Sequence, residues 1–178
     1  MKKFCISFFI LAIIILSAIG LNLEENNVKK EYLRIHVRAN SNLEQDQMVK
    51  YKVRDAVVEY LTPFIAECDT KEKAQTLLTS RLSEIERVVN GVLKGNGFNY
   101  TSSAFVRNEK FPSRVYGEIE LAEGFYDALI INLGSGKGDN WWCVVYPPLC
   151  FSGEGKNYVY KSKIMKIIDE FFNRQEKV

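Results

Sequence analysis

The sequence predicts an α+β fold: a single two-layer domain over residues 32–178, with about three helices on one face of a mostly antiparallel sheet. Two observations divide the chain. Helical periodicity dominates residues 43–95, and β-branched and aromatic residues dominate residues 98–146. In addition, the segments between the later strands are short and polar, which is typical of antiparallel hairpins. With 178 residues, 47% of them apolar, the chain can bury one substantial core.

Residues 1–20 have the character of a targeting segment. A basic start, Met1 to Lys3, is followed by an uncharged run over residues 4–21, with small residues at Ala18 and Gly20. Eighteen helical residues span about 27 Å, just short of a bilayer core. A cleaved signal peptide and a retained anchor therefore both fit, and either places the domain outside the cytoplasm. The polar residues 21–31 are predicted to be a linker.

The charge balance argues against two classes of partner. The chain has 24 basic and 22 acidic residues, and Lys2 and Lys3 lie in the targeting segment, so the rest of the chain balances 22 against 22. A nucleic-acid binder needs a basic footprint, and a polybasic membrane-surface binder needs a cluster of lysines and arginines. We expect no nucleic-acid partner, and membrane contact only through residues 4–21 if that segment is not cleaved.

The first predicted strand and helix lie between residues 32 and 65. From Leu33 to Ala39, apolar odd positions alternate with basic even positions, which predicts a half-buried strand. Ser41 and Glu44 have the spacing of a capping box, which predicts a helix over about residues 43–62. Its core stripe would be Val53, Val57, Tyr60, Leu61 and Phe64, and Pro63 would lie near its end.

A second helix is predicted from the cap at Asp69 and Thr70 to the stop at residues 95–97, with one apolar face over about five turns. Four strands follow, over residues 98–106, 113–121, 126–133 and 141–146. The chain then closes with an amphipathic helix whose stripe is Ile164, Ile167, Ile168, Phe171 and Phe172. The predicted order is β-α-α-β-β-β-β-α.

Residues 134–151 (GSGKGDNWWCVVYPPLCF) concentrate glycine, tryptophan, cysteine and proline. They are predicted to form a loop, a short strand and a rigid corner. The glycines do not form a phosphate-binding loop, because Gly138 follows Lys137 where Ser or Thr is required and Ile131 replaces the leading glycine.

The cysteines have two interpretations. Apart from Cys5 in the targeting segment, the chain has Cys68, Cys143 and Cys150. An odd number outside the cytoplasm indicates one disulfide and one thiol, and Cys143 and Cys150 are the natural pair across the corner. The alternative is a secreted hydrolase in which Cys143 is the nucleophile and His36 the general base.

No motif for catalysis or for a cofactor is recognisable. His36 is the sole histidine, no C-x-x-C motif could bind zinc, and no G-x-S-x-G elbow is present. We expect His36 to be a surface residue on the polar side of its strand. The sequence therefore predicts a binding or signalling protein, not an enzyme, with no metal, no cofactor and no small-molecule substrate.

The tryptophan pair suggests a surface for a protein partner. Adjacent strand residues point to opposite faces, so one of Trp141 and Trp142 should enter the core, and the other should either be exposed beside the glycine loop or pack under the C-terminal helix. Exposed tryptophan is typical of interaction hot spots. The candidate contact residues are Lys137, Asp139, Asn140, Trp141 and Trp142, with His36 and Asn40 as outlying members.

Four blocks together resemble the stage II sporulation protein R family of endospore-forming bacteria: residues 33–41 (LRIHVRANS), 52–56 (KVRDA), 111–117 (FPSRVYG) and 134–151. The resemblance implies a protein exported from the forespore into the space between forespore and mother cell. There it would activate a membrane aspartic protease of the mother cell. That protease would then cleave the precursor of sigma-E.

Overall fold

The computed structural model describes residues 31–117 and 119–150, and the single positions Leu11, Ile13 and Ile15. The helices are Glu44–Ile65 (α1), Lys71–Ser80 (α2) and Leu82–Gly95 (α3). The strands are Leu33–Arg38 (β1), Ser102–Phe111 (β2), Arg114–Tyr116 (β3), Ile119–Leu121 (β4), Gly124–Leu133 (β5) and Asn140–Tyr146 (β6). The predicted α+β fold is confirmed.

Some predicted segments lie outside the described residues. These are the closing helix with its stripe from Ile164 to Phe172, the targeting segment apart from three single positions, and the linker apart from its last residue. Within the part of the chain that is described, no helix combines the length and apolarity needed to cross a bilayer.

The main sheet has the strand order β2-β5-β1-β6. β1 runs parallel to β5 and antiparallel to β6, and β2 runs antiparallel to β5. The sheet is therefore mostly antiparallel, as predicted, but the predicted chain of consecutive hairpins is wrong. β1 lies between β5 and β6, and its apolar odd positions Leu33, Ile35 and Val37 are fully buried.

The three helices pack on one side of the sheet, which we call the helix face. This face carries the odd positions of β1, and α1 contributes a buried residue every third or fourth position. The principal core lies between these two layers and is made almost entirely of aliphatic side chains: Val49, Val53, Val57, Leu61, Ile65, Leu78, Ile85, Val89, Leu129, Ile131 and Leu133.

The long second helix that the sequence predicts is two helices, because the chain leaves helical geometry at Arg81. Thr79 and Ser80 donate side-chain hydrogen bonds to the carbonyls of Gln75 and Leu77, which compete with regular helix geometry. Arg81 itself packs its guanidinium over the ring of Phe64 at 3.7 Å. The predicted ends are confirmed: Thr70 caps α2, and α3 ends at Gly95.

The predicted strand over residues 113–121 is a small hairpin formed by β3 and β4. Gly117 turns the chain with φ +62°, a conformation that side chains disfavour. The hairpin belongs to the second side of the sheet, which we call the hairpin face. A smaller core lies there: Phe111, Leu121, Tyr126, Ala128, Ile130 and Val144.

Candidate functional site

The glycine loop after β5 lies directly against the segment that follows β1. The Gly138 N–H donates to the carbonyl of Ala39 at 2.8 Å. A Cβ on Gly138 would lie 2.3 Å from the Ser41 carbonyl oxygen, and one on Gly134 would lie 2.4 Å from Oδ1 of Asn40. At Gly138 a side chain is excluded by the backbone of Ser41, and at Gly134 by the side chain of Asn40 and by a φ of +54° that side chains disfavour.

Asn40, a predicted contact residue, holds this loop in place. Its Oδ1 accepts the Ser135 N–H at 2.9 Å, and its backbone carbonyl accepts the Ser135 hydroxyl at 2.6 Å. Its Nδ2 donates to Asp46 at 3.0 Å. Asn40 is half-buried, and both ends of its amide are engaged within the chain.

Asp46, in the first turn of α1, is the centre of this network. Its carboxylate is almost fully buried and accepts the Ser41 hydroxyl at 2.5 Å and the Tyr100 hydroxyl at 2.6 Å. Burial alone would raise the pKa of Asp46, but hydrogen bonds from Ser41, Tyr100 and Asn40 together hold that pKa below its usual value.

The predicted capping box between Ser41 and Glu44 is wrong. Leu43, not Ser41, is the residue that precedes α1, and it makes no side-chain cap. Ser41 accepts the Leu43 N–H at 3.1 Å and gives its own hydroxyl to Asp46.

Lys50 secures the far end of the loop. This lysine is 2% exposed, and its Nζ donates to the backbone carbonyl of Asp139 at 3.1 Å and to Oε1 of Gln47 at 2.6 Å. Burial lowers the pKa of Lys50, and the nearby Asp139 carboxylate partly opposes that shift. Oδ1 of Asn42 accepts the Asp139 N–H at 2.6 Å, and Nδ2 of Asn42 donates to the Asp139 carboxylate at 3.2 Å. The loop is thus tied to α1 while the side chains of Lys137 and Asp139 are exposed.

The two tryptophans point to opposite sides of β6, as predicted. Trp141 packs against the principal core, with the Arg54 guanidinium 5.8 Å from its ring centre. Trp142 packs against the smaller core on the hairpin face. Both rings are partly buried, so neither lies wholly in the core or wholly in solvent.

His36 is buried, not a surface residue, and that expectation is wrong. It is 3% exposed because Trp142 stacks on its ring at 5.4 Å and Phe111 packs edge-on at 5.7 Å. Its Nδ1 pairs with Oε1 of Glu109 at 2.9 Å. Burial lowers the pKa of His36, and the hydrogen bonds with Asn140 and Glu109 only partly oppose that shift.

Glu109 joins three cationic or titratable side chains on the hairpin face. It accepts hydrogen bonds from Arg38 and from Arg107, the latter at 2.7 Å, besides its contact with His36. Burial would raise the pKa of Glu109, but the hydrogen bonds from Arg107 and His36 lower it below the usual value. Glu109 is therefore ionised at neutral pH.

Arg34 is fully buried and lies among aromatic rings. Its guanidinium is 4.3 Å from the ring centre of Phe111 and 4.8 Å from that of Tyr126, and its Nη2 donates to the Tyr116 hydroxyl at 2.8 Å. Among the described residues, no carboxylate pairs with it, and its Nε and Nη1 have no hydrogen-bond partner. Arg114, on the hairpin, packs over Trp142 at 4.6 Å.

The alternative Cys–His hydrolase is wrong. Cys143 aligns with Ile35 and lies in the core of the helix face, whereas His36 aligns with Trp142 on the other side. Cys143 is also paired with Cys150 in a disulfide with its Cα atoms 6.3 Å apart, within the usual range. Cys68 is a buried free thiol. Within residues 31–117 and 119–150, no group of three or more His, Cys, Asp or Glu side chains could hold a metal ion.

Comparison with known proteins gives the family. The family model described as stage II sporulation protein R matches residues 29–156. This chain belongs to the stage II sporulation protein R family. It is 33% identical over 159 residues to Stage II sporulation protein R of Bacillus subtilis (strain 168), covering 84% of this chain and 71% of that protein. No solved structure matches the chain.

The fold brings together three of the four blocks that carried the resemblance. Arg34 and His36 come from the first, Arg114 and Tyr116 from the third, and Trp142 from the last. Glu109, Arg114 and Tyr116 were not singled out from the sequence as site residues. The usable signal was the row of charged residues on β1, which need polar or aromatic partners if the strand is central.

Proposed function

We propose that this chain is an exported signalling protein that activates a membrane aspartic protease of the mother cell, which then cleaves the sigma-E precursor. The observation that carries the proposal is membership of the stage II sporulation protein R family over residues 29–156. The family has a role in sporulation, and the resemblance implies this place in it.

Two features support a location outside the cytoplasm, in the space between forespore and mother cell. Residues 4–21 are an uncharged run after a basic start, as in an export signal or an anchor. The disulfide between Cys143 and Cys150 is typical of an oxidising compartment and rare in the cytosol.

Activation by such a protein would be a matter of differential binding. The ligand must bind the active state of the protease more tightly than the inactive state, and the difference in affinity is the energy available for activation. A rigid ligand suits this role because it loses little conformational entropy on binding. The glycine loop is held by Asn40, Asn42 and Lys50, so it can present the exposed side chains of Lys137 and Asp139 in a fixed arrangement.

The test is reconstitution of the full chain with the purified protease and the sigma-E precursor. We expect cleavage of the precursor when all three are present and none when the chain is omitted. Failure of cleavage, with the protease shown to be active on a short peptide and the precursor shown to be cleavable, would contradict the proposal. A Ser83→Ala variant, changed at an exposed position of α3, should activate like the wild type.

A further inference from the structure

We propose that the hairpin face binds an acidic peptide segment of the protein partner, through an arginine surface formed by Arg38, Arg107 and Arg114 around Trp142. This inference rests on the proposed function and names the surface and the partner chemistry for it. The contact residues expected from the sequence centre on the glycine loop, whereas this surface lies on the opposite side of the sheet from the helices.

A continuous set of contacts connects the members of the arginine surface. Arg114 packs over Trp142 at 4.6 Å, and Trp142 stacks on His36 at 5.4 Å. His36 contacts Glu109, which in turn binds Arg38 and Arg107. The three arginines therefore belong to one surface and are not scattered charges.

Positive charge exceeds negative charge on this surface. Among the described residues of the hairpin face, the carboxylate that pairs with these arginines is Glu109. Glu109 accepts hydrogen bonds from Nη2 of Arg38 and from both Nε and Nη2 of Arg107. Its own side chain is only 14% exposed. Because a guanidinium has five N–H donors, each arginine retains donors for a further carboxylate.

The arginines that border the surface are accessible to a partner. The side chain of Arg107 is 49% exposed and that of Arg38 is 26% exposed. Arg114 is exposed on the hairpin. Phe105 lies on the same face beside Arg107, and it is 42% exposed. A bound segment with carboxylates and one apolar side chain would match both the charge and this exposed ring.

The buried basic side chains of the hairpin face indicate that the positive charge on this face has a functional role. Arg34 and His36 are almost fully buried, and Nε and Nη1 of Arg34 have no hydrogen-bond partner in the part of the chain that is described. Each such atom gives up its hydrogen bonds to water on folding and gains no partner in return, which destabilises the folded chain. Sites that give up stability in this way are typically functional.

Arg34 acts as a positioning residue for the arginine surface. Its hydrogen bond to Tyr116 fixes β3, and β3 also carries Arg114. The 2.8 Å bond therefore sets where the Arg114 guanidinium lies over Trp142.

A protein segment fits this surface better than a nucleic acid or a membrane. Those ligands require positive charge over a broad area, whereas the chain as a whole is close to neutral. The arginine surface is small and has aromatic rings between its charges. Arginine and aromatic residues are the types most enriched at the centres of protein interfaces.

The experiment measures binding of the full chain to the solubilised protease and to poly-L-glutamate, with Arg107→Glu and Arg114→Glu made singly. The matched control is Arg87→Glu, which reverses an exposed charge on α3, on the other side of the sheet. We expect each hairpin-face variant to lose on the order of tenfold in affinity for both ligands, while the control binds like the wild type. Poly-L-glutamate should compete with the protease. If a charge reversal disturbs folding, Arg107→Gln or Arg114→Gln replaces the corresponding variant.

Several outcomes would overturn the inference. One is that all variants bind the protease equally well. Another is that phosphatidylglycerol vesicles bind through Arg107 and Arg114 whereas poly-L-glutamate does not, which would make the surface a lipid site. Failure of the wild type to bind the protease would instead count against the proposed function. In that case, arginine-dependent binding of poly-L-glutamate would still support an acidic-peptide surface, and its absence would refute one.

Discussion

The two faces of the main sheet differ in what they bury. The helix face buries aliphatic side chains such as Leu129 and Ile131, which pack against three helices. The hairpin face buries Arg34 and His36 among aromatic rings, with buried polar atoms left without partners. One sheet therefore carries a conventional core on one side and a chemically specialised surface on the other.

The difference suggests a division of labour between stability and recognition. Aliphatic burial gives about 25 cal/mol per Å² and needs no specific partner. A buried guanidinium has a desolvation penalty of several kcal/mol, which rings and a single hydroxyl only partly offset. We therefore expect substitutions on the helix face to change stability, and substitutions on the hairpin face to change signalling.

The largest effect on stability should come from Leu129→Ala. Leu129 is fully buried on the central part of the helix face, so truncation loses apolar burial and leaves a cavity. The free energy of unfolding in urea should fall by about 3 kcal/mol. Val115→Ala, at a residue 65% exposed on the hairpin, is the control and should change it by less than about 0.5 kcal/mol. Equal losses in the two variants would remove the contrast between the faces.

Gly138→Ala should destabilise the protein by about 2 kcal/mol, because the new Cβ would lie 2.3 Å from the Ser41 carbonyl oxygen and force two backbone segments apart. Gly91→Ala is the matched control. It adds the same methyl group to the interior of α3, where nothing lies within 4 Å, and should stabilise the protein by about 0.5–1 kcal/mol. Thermal unfolding of the two variants should shift in opposite directions. Shifts in the same direction would show that the loop and Ser41 are not held as described.

Arg34→Met should change the free energy of unfolding by less than about 1 kcal/mol, although Arg34 is fully buried. The apolar side chain loses the hydrogen bond to Tyr116 and the ring contacts, but it also removes the cost of burying a charge. Urea unfolding measures the change. A loss as large as that of Leu129→Ala would mean that the guanidinium is a stabilising element of the core.

The smallest effect concerns the pH dependence of stability. Burial lowers the pKa of His36 below 6.5, so the unfolded chain binds the proton more readily than the folded protein does. The free energy of unfolding should therefore fall as the pH drops from 6.5 towards the lower pKa of His36 in the folded protein. The groups in contact with His36 include Glu109, Asn140, Phe111 and Trp142, with Arg38 close by. Glu109 also titrates, but its pKa is lowered, so its own contribution to the pH dependence of stability falls in more acidic solutions.

His36→Gln should therefore flatten the pH dependence of unfolding between about pH 5 and 7. Urea titrations at several pH values compare it with the wild type. An unchanged slope in the variant would mean that another group controls stability in this range.

Local patterns predicted much of the fold. The alternation from Leu33 to Ala39 predicted β1, the apolar stripe ending at Gly95 predicted α3, and the expectation of export led to the pairing of Cys143 with Cys150. These features depend on residues that lie close together in the chain, so local sequence patterns are enough to predict them.

Long-range contacts account for what the sequence did not predict. The position of β1 between β5 and β6 depends on pairings about 100 residues apart. The burial of His36 depends on Phe111 and Trp142, so alternation alone wrongly placed it at the surface. The capping box was also misread, because the partner of Ser41 is Asp46 and not Glu44.

The most direct test of the division between the faces is the rate of sigma-E precursor cleavage per folded molecule, measured for Arg34→Met and for Leu129→Ala. Cleavage is assayed with the purified protease at a temperature where both variants are mainly folded. We expect Arg34→Met to fold normally and lose activation by on the order of tenfold, because Arg114 is no longer positioned. Leu129→Ala should activate at the wild-type rate. Normal activation by Arg34→Met, with a defect in folded Leu129→Ala, would contradict the account.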